Sequence, residues 1–169
     1  MKWHDRGIPS SLLQALPILC LSTLLSCSGD NGIVRQEDPA LARFERGMFD
    51  AVNRYRDSAG LGTMAWNETV ASIARKHSKD MAEGKFGLGH TGANRRTIKV
   101  GETIPWKSIS ENVAYSTERT DIINFLLGRW LASSGHRVNI EGDYDLTGIG
   151  VAESNDGKIY FTQIFVLRE

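Results

Sequence analysis

Three side chains in this sequence stand out as candidates to exchange protons near neutral pH or to bind a ligand: His90, Glu111 and His136. They are far apart in the chain, so only a folded domain could bring them together. The sequence contains no His-Glu-x-x-His, no paired Cys-x-x-Cys, no Gly-x-Ser-x-Gly and no phosphate-binding glycine loop. Spacing alone therefore assigns neither a metal site nor a nucleophile.

The immediate surroundings of each group indicate how it is held. His90 lies among glycines, where a turn would present its imidazole to a ligand. Glu111 has apolar neighbours and needs a partner, because an unpaired buried carboxylate is costly. His136 follows an apolar run, 122–131, that predicts a buried helix ending at a left-handed Gly135. The alternative for His136 is a capping role, with the imidazole bonded to the last helix carbonyls.

Helical periodicity predicts three helices and places His77 on the apolar stripe of the second. The first begins at Asp38-Pro39, the second is capped by Asn67, and the third is capped by Thr117 or Thr120 and runs to Ser133. We interpret His77 as a core histidine with one satisfied hydrogen bond, the alternative being a ligand role. Charged residues opposite the first stripe, including Glu45 and Arg56, are expected on the solvated surface.

The remaining segments indicate an α+β fold with helices packed on a small antiparallel sheet. Residues 93–105 are predicted to form an irregular surface loop, and 108–115 a short element that enters the core. Two β-rich segments, 146–152 and 158–167, are joined by an Asp-Gly turn signal and predict a hairpin with a central second strand.

The first residues have the features of an export signal. A positive start and an apolar run end at Leu24-Leu25-Ser26-Cys27, which resembles a bacterial lipobox with Cys27 as the lipidated residue. The alternative is an ordinary cleaved leader with a stray cysteine. We therefore predict a signal peptide over 1–27, a polar tether over 28–37 and one domain over 38–169. The serine after the cysteine resembles the signal for outer-membrane sorting, so we expect a lipid-anchored protein of the outer membrane or cell surface.

Composition constrains the partners of this domain. Lys plus Arg and Asp plus Glu both number 20, which provides no basic field for nucleic acid. Both cysteines fall in the predicted leader, so the exported domain would contain no disulfide and must be held by its core.

Several stretches resemble, in order, the CAP superfamily (cysteine-rich secretory, antigen 5 and pathogenesis-related-1 proteins), whose domains are also called SCP domains. The likeness is to its short bacterial, disulfide-free branch and covers about residues 40–166. The stretches are AVNRYR (51–56), AW (65–66), ARKHSKDMA (74–82), GH (89–90), ENVA (111–114), WLASSGHRVNI (130–140), TGIGVA (147–152) and FTQIF (161–165).

The resemblance implies an α-β-α sandwich with a large cleft that is lined by two histidines and two acids and, in some members, holds a divalent metal, often zinc. His90 and His136 would be the histidines and Glu111 the first acid, with Asn112 beside it. At the position of the second acid in many animal members, this sequence has Ser133. At the position before the first acid, where glycine is usual, it has Ser110.

Three kinds of chemistry remain open for this set. Two imidazoles could hold zinc or another divalent cation, with Glu111 as a ligand or as the base for a bound water. The same residues could instead form a hydrogen-bonded network that shapes the cleft. A serine-histidine-acid set of Ser133 or Ser134 with His136 and Glu111 is the third alternative.

Because the second acid is missing, we expect a non-catalytic module. Its cleft would bind a small apolar or lipid-like ligand, an envelope component or a protein. The alternative is a metal-dependent hydrolase acting on an envelope or peptide substrate. We expect weak zinc binding that His136→Ala abolishes.

Overall fold

The structure, a computed structural model, describes residues 38–169. The predicted leader, the lipidated Cys27 and the tether lie outside this part. The helices are α1 (Pro39–Ser58), α2 (Glu68–Ala82), α3 (Ala93–Gly101), α4 (Ile122–Ala132) and α5 (Ser134–Glu141). The strands are β1 (Ala65–Trp66), β2 (Trp106–Ser116), β3 (Leu146–Glu153) and β4 (Ile159–Arg168). Within the described range, no helix combines the length and the apolar character needed to cross a membrane.

The first two helices begin where the sequence predicts. The carboxylate of Asp38 accepts a hydrogen bond from the amide of Ala40 at 2.8 Å, and Pro39 occupies the first helical position. The side-chain oxygen of Asn67 accepts one from the amide of Val70 at 3.0 Å. Both caps are confirmed, because each satisfies a helix N–H group that has no partner within the helix.

The strands form one sheet in the order β1-β3-β4-β2. The predicted hairpin of β3 and β4 is confirmed, with Gly157 in its turn at a φ of 80° and β4 in a central position. The sheet is mixed rather than wholly antiparallel, because β1 pairs with β3 in parallel. A strand of two residues leaves no periodicity for the sequence to reveal.

Two layers of helices cover the sheet, one on each face. Successive side chains of β4 point to opposite faces and therefore pack in different layers. Phe161 and Phe165 pack in one apolar cluster with residues of α1, α4 and α5. Ile164 and Val166 pack in the other, with residues of α2 and α3. The domain is therefore the expected α-β-α sandwich.

Helix α2 lies directly on the backbone of β3. A Cβ added to Gly148 would come within 2.2 Å of the amide nitrogen of Ala71, and one on Gly150 within 1.9 Å of that of Arg75. The hydroxyl of Ser78 donates to the carbonyl of Gly150 at 2.8 Å. The two glycines thus let the helix and the strand approach more closely than any side chain would allow.

Two predictions for the middle of the chain are wrong. Residues 93–101 form helix α3 rather than a loop, and its buried side rests on Val100, which is completely buried. The other residues of this short helix are mostly polar, so the sequence shows no apolar periodicity there. The residue that precedes α4 is Asp121, at a φ of 55°, and neither predicted threonine caps it.

The end of α4 also differs from the prediction. The chain leaves the helix at Ser133, which has an extended conformation, and α5 begins at the next residue. Gly135 is therefore inside a helix, and His136 lies in the first turn of α5 rather than after a glycine cap. Its predicted alternative role as a C-terminal cap is wrong, because no helix ends there.

Two residues expected on the surface of α1 are buried. Glu45 is 4% exposed and accepts hydrogen bonds from the guanidinium of Arg75 and the amide of Val151. Arg56 is 3% exposed and donates to four backbone carbonyls. Periodicity assigned both to the solvated face because it does not show which polar partners the fold supplies.

Candidate functional site

The predicted site lies along the edge strand β2, where two consecutive residues point to opposite faces. Glu111 pairs in register with Ile164 and so faces the layer of α2 and α3. Asn112 pairs with Gln163 and faces α5, where it meets Asn139. Glu111 and Asn112 therefore contact one helical layer each, at the same edge of the sheet.

On the first face, Glu111 binds His90. The Nδ1 atom of His90 lies 2.9 Å from Oε1 of Glu111, and the histidine side chain is 53% exposed while that of the glutamate is 9% exposed. A carboxylate only accepts hydrogen bonds, so Nδ1 carries the proton. The Nε2 atom of a neutral His90 is then left with a lone pair for a ligand.

Arg96 of α3 is the main residue of the site that the sequence analysis missed. Its Nε donates to Oε2 of Glu111 at 2.6 Å and its Nη2 donates to Oε1 at 2.7 Å. This bidentate pair provides the partner that the buried carboxylate was expected to need. If 93–101 is taken as a helix, Arg96 lies one turn before the buried Val100 and therefore on the same side of the helix, toward the core.

His77 supports this arrangement from the core. It is 2% exposed, its Nε2 donates to the carbonyl of Gly89 at 2.9 Å, and its Nδ1 accepts from Nη1 of Arg96 at 3.1 Å. Because a carbonyl only accepts and a guanidinium only donates, the ring must be the neutral Nε2–H tautomer. The prediction of a core histidine is confirmed, with two hydrogen bonds rather than one.

Burial lowers the pKa of His77, and the nearby charge of Arg96 lowers it further. A histidine whose pKa is lowered by folding binds more protons in the unfolded chain than in the folded chain. Its stabilising contribution is therefore complete above the unfolded pKa near 6.5, and it is lost as the pH falls from there through the lower pKa of the folded state. We expect the melting temperature of the full chain to fall between about pH 7 and about pH 5, less steeply in His77→Gln. Parallel curves for the two proteins, measured by circular dichroism, would contradict this.

On the second face, the backbone around His136 is fixed by two asparagines. Asn112 Nδ2 donates to the carbonyl of His136 at 3.1 Å, and Asn139 Nδ2 donates to Oδ1 of Asn112 at 2.8 Å. The imidazole lies against Trp130, with ring centroids 6.4 Å apart. Burial lowers the pKa of His136, and a positive charge on His90 lowers it as well.

Two hollows adjoin this edge of the sheet. The larger, which we call the groove, has a volume of about 430 Å³. Its lining includes Leu88, Tyr115, Phe125, Trp130, Ser133 and His136. The smaller, about 200 Å³, is lined by His90, Arg96 and Glu111 among others. The structure thus brings the predicted residues to one edge but divides them between two neighbouring hollows.

Comparison with known proteins identifies the family. The family model "CAP: Cysteine-rich secretory protein family" matches residues 49–165. The chain belongs to the CAP family. It is 31% identical over 134 residues to the uncharacterized membrane protein YlbC of Bacillus subtilis (strain 168), which covers 73% of this chain and 34% of YlbC. The chain thus spans about a third of that relative's length.

Solved structures of other bacterial proteins share the fold. An outer surface protein from Borrelia burgdorferi superposes with a TM-score of 0.65 at 18% identity, over 75% of this chain and 94% of that protein. An extracellular protein containing a SCP domain, from Bacillus anthracis str. Ames, superposes with a TM-score of 0.61 at 25% identity, over 75% and 41%.

The serine-histidine-acid alternative is not assembled in this CAP domain. Ser133 and His136 both line the groove, but the carboxylate of Glu111 bonds to His90 and Arg96 instead of orienting His136. A serine nucleophile needs its histidine to be held and its positive charge to be stabilised by that acid. The residues present therefore lack the connection on which this mechanism depends.

A three-ligand metal site does not fit the residues either. Among residues 38–169, no group of three or more His, Cys, Asp or Glu side chains is arranged to hold a metal ion. Both oxygens of Glu111 already accept hydrogen bonds from Arg96, which leaves the two imidazoles as the free donors of the expected set. Two neutral donors provide fewer ligands than zinc sites in proteins use.

Proposed function

We propose that this CAP domain is a non-catalytic binding module of the bacterial cell envelope, and that its groove takes a small apolar, lipid-like ligand. The observation that carries the proposal is the groove beside His136. Its volume of about 430 Å³ lies within the range of small-molecule sites, roughly 300–1,000 Å³. An envelope component or a protein partner is the alternative occupant.

The walls of the groove favour an apolar occupant. Leu88, Tyr115 and Phe125 line it and are 50%, 43% and 44% exposed, although large apolar side chains are normally buried. Trp130 contributes to the lining from the core. Covering this surface with an apolar ligand would remove it from water, which is favourable by about 25 cal/mol for each Å².

The polar groups of the groove would orient such a ligand. His136 and Ser133 lie on its lining and can bond to a hydroxyl or a carboxyl group. Arg129, whose guanidinium lies 5.7 Å from the ring centroid of Phe125, adds a positive charge beside the apolar wall. An elongated molecule with one polar end fits this distribution best.

The envelope location is supported by the relatives and by the predicted leader. The relatives are described as a membrane protein, an outer surface protein and an extracellular protein. A lipid on Cys27 would hold the domain at a membrane, within reach of lipid ligands. The hydrolase alternative has less support, because Arg96 occupies the carboxylate that would serve as its base.

Photochemical crosslinking of the full chain tests the proposal. The protein would be reconstituted into phosphatidylcholine vesicles with a diazirine-bearing long-chain fatty acid, irradiated, and digested for mass spectrometry. We expect crosslinked peptides from 113–118 and 125–136, and Phe125→Asn should reduce their yield by about fivefold or more, the size of effect that follows from loss of a buried aromatic contact.

Ile98→Asn is the matched control, since Ile98 is also an exposed apolar residue on a helix but is not part of the groove lining. It should leave the yield unchanged. Crosslinks distributed according to surface exposure, or equal yields from the unchanged chain and Phe125→Asn, would refute lipid binding in the groove and would favour a protein or another envelope component.

A further inference from the structure

A further hollow lies between α2 and α3, in the helical layer that does not contribute to the groove. Its volume is about 560 Å³, compared with about 430 Å³ for the groove, and the residues that line the two are entirely different. This volume also lies within the range of small-molecule sites, roughly 300–1,000 Å³. The binding role proposed for the groove leaves this second hollow without a function.

Facing sides of the two helices form the walls of this hollow. On α2, the lining residues Ile73, Lys76 and Asp80 recur at spacings of three and four, which places them on one side of the helix. On α3, Arg95 and Lys99 are four residues apart and share a side in the same way. Long cationic side chains can cover apolar surface with their stems while their charged ends stay in water. The walls are therefore suited to a ligand that is partly apolar and partly charged.

The apolar part of the hollow is provided by Ile73 and Phe86. Ile73 is half-buried on α2, and Phe86 is 38% exposed in the loop that follows this helix. Large aromatic side chains are normally buried to a greater extent. An apolar body placed between these two side chains would be removed from water together with them.

The charges around the hollow are mainly positive. Its lining contains four cationic side chains and one carboxylate, namely Lys76, Arg95, Arg96, Lys99 and Asp80. The carboxylate of Asp80 is already neutralised, because Oδ1 accepts a hydrogen bond from Nζ of Lys85 at 3.0 Å and Oδ2 accepts one from Nζ of Lys76. Arg96 is bound by Glu111. The guanidinium of Arg95, by contrast, has no hydrogen bond or ion pair within residues 38–169.

The positive charge is a property of this part of the chain only. Between residues 72 and 107 there are eight Lys and Arg but three Asp and Glu, whereas the two classes are equal at 20 each over the whole chain. A concave site lined by charges of one sign attracts ligands of the opposite sign. The ligand that complements this hollow is therefore an anion.

From these observations we infer that the hollow between α2 and α3 is a second binding site, which takes a small organic anion with an apolar body. The apolar body would pack between Ile73 and Phe86. Its carboxylate or phosphate group would bind Arg95, whose planar guanidinium matches the geometry of such groups. A single small molecule suits the site better than a membrane surface does, because a flat surface would contact the cations at the rim without filling the hollow.

Photochemical crosslinking of the full chain in dodecyl maltoside micelles tests this inference. The probe is a benzoate that carries a trifluoromethyldiazirine, and the corresponding benzamide is its uncharged match. We expect crosslinked peptides from 72–80 and 91–99, with a yield at least about fivefold higher for the benzoate than for the benzamide. Phenylbutyrate should compete with the probe. Inorganic phosphate at the same concentration should not compete, because it has no apolar body.

Two pairs of variants test the two parts of the site. Arg95→Gln should lower the yield by about fivefold or more, whereas Lys107→Gln removes an exposed charge of the same basic segment that is not part of the lining and should leave the yield unchanged. Phe86→Asn should lower the yield to a similar extent, and Ile98→Asn, an exposed apolar residue of α3 outside the lining, should not. Circular dichroism would establish that all four variants are folded.

Three results would overturn the inference: equal yields for Arg95→Gln and Lys107→Gln, equal yields for the benzoate and the benzamide, or competition by inorganic phosphate as strong as that by phenylbutyrate. The first would indicate a diffuse basic surface, suited to an acidic protein or an anionic membrane rather than to one small molecule. The outcome is separate from that for the groove, because the two sites give crosslinks in different peptides.

Discussion

Gly150→Ala in β3 is expected to lower the stability of the domain strongly. The added Cβ would lie 1.9 Å from the amide nitrogen of Arg75 and 2.2 Å from the carbonyl carbon of Ala74. These are backbone atoms of α2, so no side-chain rotation relieves the clash and the whole helix must shift. Overpacking of this kind costs about 3 kcal/mol, and we expect the melting temperature to fall by about 10 °C.

The displacement would also disturb a second interaction. Arg75 donates hydrogen bonds to the buried Glu45. The carboxylate of Glu45 also accepts a hydrogen bond from the amide of Val151, next to the substituted glycine. A shift of α2 would stretch these charge-assisted bonds and add to the loss.

Gly128→Ala is the control for Gly150→Ala. Gly128 lies within α4, and a Cβ there would meet no atom within 4 Å. Alanine should stabilise that helix by up to about 1 kcal/mol. Thermal unfolding of both variants, followed by circular dichroism, is the measurement. Similar melting temperatures for Gly150→Ala and the unchanged chain would mean that α2 does not pack as closely on β3 as described.

Arg56→Met is the second substitution for which we expect a large loss of stability. The guanidinium donates to the carbonyls of Gly62, Ile140, Gly142 and Tyr144 at 2.7, 2.7, 2.8 and 3.2 Å. The last three of these bonds join the end of α1 to the end of α5 and to the segment that follows it. Burial lowers the pKa of Arg56, which reflects the same removal from water.

Methionine fills a similar volume but leaves those carbonyls without their donor. Unsatisfied buried acceptors cost about 1–3 kcal/mol each, and relief of the buried charge offsets part of that loss. We expect the free energy of unfolding in urea to fall by about 3 kcal/mol. Arg54→Met, an exposed arginine of the same helix, should change it by less than about 0.5 kcal/mol. A similar small change for Arg56→Met would show that the four bonds contribute little.

The sequence predicted the elements whose signals are local. The caps of α1 and α2 depend on one side chain that bonds two or three residues away, and the hairpin of β3 and β4 depends on its turn and alternation. Helix α3, which the sequence did not predict, lacks such a local signal. Helix α3 has only one fully buried residue, Val100, and a single buried position does not establish a period.

The site was predicted in its outline but not in its charge balance. His90 and Glu111 were expected to meet and do so at 2.9 Å, while the backbone carbonyl of His136 accepts a hydrogen bond from Asn112 on the other face of β2. Arg96 was missed because its segment was interpreted as a loop. Without it, Glu111 had the appearance of a free ligand or base.

By itself, the sequence determined the fold class, the core helices and the polar residues that gather at one edge of the sheet. Only the tertiary structure decided which of those residues bind one another, and that Arg96 and His90, rather than His136, receive the carboxylate of Glu111. The physical reason is that periodicity and capping act over a few neighbouring residues. A side-chain ion pair depends on the relative placement of elements that are distant in the chain, to within fractions of an ångström.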